Sequence, residues 1–175
     1  KIANSDQILF QKSSTTSDGF TLYLKQSVST DFATASFSIT SGSVRSNTTA
    51  ILSKGVYNHV CTVFNREANN PEVFLEFFVN EKSIARSKPE AAGKLDIDSS
   101  NFLIGTGSTF YVGNTLVTPT QTFSGTLDEL RLFHSVRSDE KQKLFATRGI
   151  YSTPDLKLYY RFNEPPGPLS DSNTI

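Results

Sequence analysis

Few residues of this chain carry chemistry in a usable pattern. Asp128 and Glu129 are adjacent carboxyls, and a strand would send them to opposite faces. Asp96 and Asp98 share one face of Leu95–Asp98, but no third acid follows, so an exposed strand edge suits them better than an acid/base pair. His59 and His134 have no serine or cysteine motif beside them, and His59 reads as a structural residue. Cys61 is the single cysteine, which excludes an intrachain disulfide and a CxxC site; it sits in an apolar run and reads as a small core residue. The chemistry the residues do offer is recognition. Sugar binding needs exposed aromatic faces and planar polar groups, and Tyr111, Asn114 and Tyr151, with Asn69 and Asn70, are loop residues of that kind.

The elements that must position these residues are strands. Gln7–Lys12, Phe20–Lys25, Ala35–Thr40, Tyr57–Asn65, Val73–Asn80, Ser83–Arg86, Asn101–Gly105 and Leu156–Phe162 show short apolar or alternating patterns separated by turn clusters. Tyr57–Asn65 and Val73–Asn80 are the most apolar and are expected to be central. Asn80-Glu81 reads as a tight hairpin turn, and residues 107–121 as one long loop. Between Thr126 and Phe133, alternation places Asp128, Leu130 and Leu132 on one face and Leu127, Glu129 and Arg131 on the other. One helix follows Arg137, with Ser138 as N-cap, Asp139 and Glu140 in its first turn, and Leu144 and Phe145 as its anchors to the sheet. So many short strands with one short helix predict an all-β fold, two antiparallel sheets packed face to face.

Composition narrows the function. Seventeen basic residues balance seventeen acidic ones in 175, scattered without runs, which argues against nucleic acid as a partner. No apolar stretch is long enough for a transmembrane helix, so membrane insertion is not expected. Serine and threonine make up about a quarter of the chain, which favours exposed pleated surface. The chain starts at Lys1 without methionine, and is expected to be a segment of a longer polypeptide. Asn47-Thr48-Thr49 is a single glycosylation sequon.

Three stretches resemble the laminin-G-like, concanavalin A-like lectin/glucanase superfamily, in its LamG-like jelly-roll and pentraxin-related group. Phe123–Phe133 (FSGTLDELRLF) is similar to the F-x-G-x-[IL]-D-E-[VL]-R strand of that family. Arg137–Glu140 with Leu144 resembles the helix after it, and Tyr57–Phe64 (YNHVCTVF) resembles its W-x-H-V strand. Val79-Asn80 is a weaker match to a V-N-G turn, with Glu81 in place of the glycine. The resemblance implies a two-sheet antiparallel jelly-roll sandwich with one short helix over residues 1–150, its first strands missing. Residues 151–175 are then a closing strand and tail, or the start of a following similar module. It implies no enzyme activity, because the E-x-D-x-E strand of the family's glucanases is absent. It implies calcium as a possible cofactor, held by Asp128 and Asp171, with Glu164, Asp18 and Asp31 as further carboxylates. The function it implies is a binding or adhesion module of a virion or cell-surface protein, outside the cell. Its partner would be a glycan or a protein surface, or neighbouring subunits or modules of a larger assembly. A purely structural assembly element is the alternative, and a glycan-active enzyme domain comes third.

Overall fold

The computed structural model describes residues 6–66, 73–88, 95–97, 101–146 and 148–163. It divides into two compact units. One holds residues 1–124 and 136–149, the other residues 125–135 and 150–175.

The larger unit is built on a five-stranded antiparallel sheet in the order β4-β3-β2-β1-β8. Its strands are β1 (Gln7–Lys12), β2 (Gly19–Leu24), β3 (Phe32–Ser41), β4 (Val44–Ser53) and β8 (Leu103–Ile104). A three-stranded antiparallel sheet, β5 (Val60–Asn65), β6 (Phe74–Val79) and β7 (Lys82–Ser87), packs β6 and β7 against β4. These are the two layers of the sandwich, and the fold is all-β as the alternation predicts. β6 is the middle strand of its sheet, and its Phe74, Leu75, Phe77, Phe78 and Val79 are all buried. A strand buried on both faces reads as a continuous apolar run. β5, expected to be central as well, lies at the edge of this sheet among the described residues.

Register sorts the five-stranded sheet into two faces. Leu22 pairs with Phe37 and Phe20 with Ile39, and this inner face is aromatic: the rings of Phe10, Phe20, Phe37 and Phe102 lie 6.0–6.5 Å apart in successive pairs. The other face carries Tyr23 opposite Ser36 and Thr21 opposite Ser38. A register shift between Ile8 and Phe10 turns both Ile8 and Gln11 onto this second face. There a hairpin, β9 (Phe110–Val112) and β10 (Thr115–Val117), packs Phe110 and Val117 on Ile8 and Tyr23. Tyr23 and Phe110 meet edge to face at 5.1 Å. Fully buried Gln11 anchors the approach to this hairpin, accepting from Ser108 N at 2.7 Å and donating to Ser108 O at 3.1 Å.

Three expectations change here. β4 spans ten residues where no strand is expected. Residues 107–121 are not one loop but enclose the β9–β10 hairpin. The helix α1 (Asp139–Phe145) has Ser138 as its N-cap, accepting from Lys141 N at 3.4 Å, yet it has no buried residue. Leu144 is 47% exposed and is not an anchor; Phe145 is half-buried under the Arg137 guanidinium.

In the smaller unit, β11 (Leu130–Phe133) pairs antiparallel with β12 (Leu156–Tyr160).

Candidate functional site

The outer face of β3 and β4 is the most distinctive surface of the larger unit. Cross-strand register puts Phe32, Thr34, Ser36, Ser38 and Thr40 of β3 on this face, and Arg45, Asn47, Thr49, Ile51 and Ser53 of β4 beside them. The β9–β10 hairpin approaches both strands. Exposure follows position along β4: Arg45, Asn47 and Thr49 are half-buried, and Ile51 is 66% exposed. From Arg45 to Ile51 the strip runs about 20 Å at the usual rise of a strand. At one end the Arg45 guanidinium lies over the Tyr111 ring, 3.9 Å from its centroid. The Tyr111 carbonyl accepts from Ser38 Oγ at 3.4 Å, which ties this ring's backbone to the sheet. At the other end Phe32 is 52% exposed. The adjoining loops carry Val28, Val56 and Tyr57, all exposed, and are tied together by Lys54 N on Asp31 O at 2.7 Å.

The recognition residues expected from sequence separate on this frame. Tyr111 is a strand residue rather than a loop one, and one ring face is already taken by Arg45. Asn114 is exposed in the turn of the same hairpin, beside Gly113 at φ 56°. Tyr151 is 93% exposed and belongs to the smaller unit. Asn69 and Asn70 lie outside the described residues. Arg45, Asn47 and Thr49 escaped sequence reasoning because the strand that carries them did.

A laminin-G family model, described as the concanavalin A-like lectin/glucanases superfamily, matches residues 1–141. The chain belongs to that superfamily. No curated protein and no solved structure matches it. Laminin-G-like members are carbohydrate- or protein-binding modules, and the superfamily also contains glycosidases.

The D-E-L-R stretch of the superfamily pattern lies in the smaller unit, and Glu129 is its hub. Glu129 adopts φ 54°, so the regular alternation expected across residues 127–131 breaks there. Its Oε2 accepts from Tyr159 Oη at 2.5 Å and from Arg131 Nη2 at 2.6 Å, and Arg161 Nε lies 3.5 Å from Oε1. The Tyr159 hydroxyl, with Arg131 and Arg161 behind it, holds this carboxyl below the usual glutamate range. Such a group stays ionised and cannot deliver a proton near neutral pH.

Asp128, expected to hold calcium, is exposed, and its neighbour Glu129 braces the corner. Among the described residues no three His, Cys, Asp or Glu side chains gather as a metal site. Asp171 and Glu164 lie outside them. Asp18 serves the fold, accepting from Gly42 N at 2.7 Å and Asp96 N at 3.2 Å. Asp31 accepts from Thr30 Oγ1 at 3.1 Å. The backbone N–H of His59 donates to Asn80 Oδ1 and its carbonyl accepts from Asn80 N, both at 2.9 Å. His134 is exposed, and its N–H donates to Asp155 O at 2.8 Å. Asp98 lies outside the described residues.

A concavity of about 530 Å³ lies between the β6–β7 turn and α1, lined by Phe78, Asn80, Glu81, Lys82, Asp139 and Lys143. Its charged side chains are all exposed. Burial pushes the Cys61 thiol up to about 11, which makes it a poor nucleophile.

Proposed function

We propose that the chain is a non-catalytic recognition module and that it receives a glycan on the outer face of β3 and β4. The observation that carries this reading is the strip itself. Half-buried Thr34, Asn47 and Thr49 share one face between the Arg45–Tyr111 stack and exposed Phe32 and Ile51. Hydroxyl and amide groups both donate and accept, as sugar hydroxyls do, and the flanking apolar side chains offer surface for ring faces. The length of about 20 Å suits several sugar rings laid end to end rather than one. Recognition runs through side chains of the face, since the free edge of β4 is met at Asn47, whose carbonyl accepts from Ser87 Oγ at 3.3 Å.

A role in a larger virion or cell-surface protein extends the same proposal. A neutral, Ser/Thr-rich chain with one cysteine suits an exposed part of a long polypeptide. The test is a glycan array probed with the parent chain and with Asn47→Ala/Thr49→Val, which deletes two polar groups and leaves the inner face untouched. Selective binding that the double variant loses supports the reading. Silence of the parent, or indifference to the double variant, defeats it.

One observation favours a protein partner as the second reading. Val28, Phe32, Ile51, Val56 and Tyr57 are each more than half exposed at one end of this sheet and its adjoining loops. Exposed apolar groups of this kind mark interaction surfaces. Phe32→Ser/Tyr57→Ser is then expected to abolish assembly with neighbouring subunits, read by sedimentation of the parent and variant.

A further inference from the structure

Resting on the reading of the β3–β4 face as a glycan site, we infer that the glycan bears a carboxylate and that Arg45 is the group that reads it. The twenty residues of β3 and β4 contain one charged side chain, Arg45, and no acid. The hairpin laid beside them, residues 110–117, contains no Asp, Glu, Lys or Arg. Arg45 therefore has no counter-ion on its own face, and it makes no ion pair among the described residues. Arg131 shows the contrast, since its guanidinium meets the Glu129 carboxylate at 2.6 Å.

The Arg45 head is also held in place. It lies over the Tyr111 ring, 3.9 Å from its centroid, and its Nε–H is shielded without an acceptor. A half-buried cation without a counter-ion is an unfavourable arrangement until an anion arrives. A guanidinium fixed on an aromatic face loses little side-chain freedom when it binds, and its planar fork matches a carboxylate better than a single hydroxyl. Asn47 and Thr49 follow at two and four residues along the same face, steps of about 7 Å. An acid group seated at Arg45 places the hydroxyls of its own ring and the next within their reach. Uronate- and sialate-bearing glycans are the ligand class that fits.

The full chain is tested on an array that pairs uronate- and sialate-bearing oligosaccharides with their methyl esters, which keep the ring and lose the charge. Free acids are expected to bind, and the esters to bind more weakly by roughly tenfold or more, the loss of one charge-assisted contact. Arg45→Ala should lower binding of the acids to the level of the esters, and Arg45→Lys should recover only part of it. Tyr111→Leu keeps the charge, removes the platform, and should weaken acid binding. Far-UV circular dichroism and the urea midpoint establish that each variant is folded. Equal binding of acids and esters, with Arg45→Ala without effect, overturns the carboxylate inference and leaves the face a glycan site. Binding of neither series overturns both.

Discussion

At position 129 glycine should be better than alanine, the reverse of the usual order. Glu129 sits at φ 54°, a left-handed conformation that costs an L residue with a Cβ about 1–2 kcal/mol. The residue is kept there by its carboxylate, which joins Tyr159 of β12 to Arg131 of β11. Two charge-assisted hydrogen bonds would be worth roughly 1.5–3 kcal/mol each if dry. The side chain is 34% exposed, so water competes for both and the pair is set at about 2–3 kcal/mol together. Glu129→Ala loses this sum and keeps the backbone strain. Glu129→Gly loses the same sum and regains roughly 1 kcal/mol, net of the looser unfolded chain. The expected order of stability is parent, then glycine, then alanine.

Urea unfolding followed by far-UV circular dichroism measures the order, and amide exchange over residues 130–133 and 156–160 localises it to the β11–β12 pair. The pH dependence supplies a second arm. The carboxyl is held below the glutamate range, first by the Tyr159 hydroxyl and then by Arg131, so its contribution is complete above that range. It is lost as pH falls through the depressed folded value. The gap between the parent and Glu129→Gln should therefore shrink on acidification. Alanine equal to or better than glycine would refute the backbone argument, and a gap that is constant down to pH 3 would refute the electrostatic one.

Three further outcomes follow from the same physics. Glu81 occupies φ 68° beside Asn80 at φ 48° in the two-residue turn between Val79 and Lys82, so Glu81→Gly should raise stability by about 1 kcal/mol, read as a higher urea midpoint at constant slope. Gly19 has φ 151°, and a Cβ there would lie 1.6 Å from the Lys12 carbonyl oxygen, so Gly19→Ala should cost more than about 3 kcal/mol and leave little folded protein at 37 °C by thermal circular dichroism. With its thiol pushed up to about 11 by burial, Cys61 should be roughly one-thousandth thiolate at pH 8, and a disulfide reagent should label it slowly in the native chain and fast in urea.

What was legible in the sequence was whatever a buried apolar period writes into it. β1 is bounded at Gln7 and Lys12 as its pattern predicts, and β2 within one residue, because one face of each must be apolar. The Ser138 cap was legible because a serine ahead of two acids has one job at a helix start. β4 was not, because its inner face, Val44, Ser46, Thr48, Ala50 and Leu52, is too small and too polar to show a period against Arg45, Asn47, Thr49 and Ile51. Its strand character comes from ten pairings with β3 that no local signal encodes. β9 and β10 are three residues each, below the length at which alternation is readable, though a fifteen-residue stretch without structure in a compact domain should itself have been suspect. Glu129 defeats any period argument, because a left-handed residue resets the faces on either side of it.

The illegible elements are the ones that build the proposed recognition face, and the two observations share a cause. A strand that faces a partner exchanges apolar alternation for polar groups, and so erases the signal by which strands are found. A different signal remains in its place. Between Asp31 and Lys54 the sequence holds a single charge, Arg45, in a stretch otherwise made of small, polar and apolar residues. In a chain with 34 charged residues of 175, a run of 22 positions with one charge stands out as a surface kept free of carboxylates. If that run merely covered a core, its outer face would tolerate acids at Thr34, Asn47 and Thr49, and variants carrying them would bind as the parent does. If the run is a reading surface for acidic sugars, Thr49→Glu should leave the unfolding free energy within about 0.5 kcal/mol of the parent, as surface changes do, and abolish binding of the free acids by repulsion beside Arg45. A Thr49→Glu variant that binds the acids as well as the parent does would show that the run serves packing and nothing more.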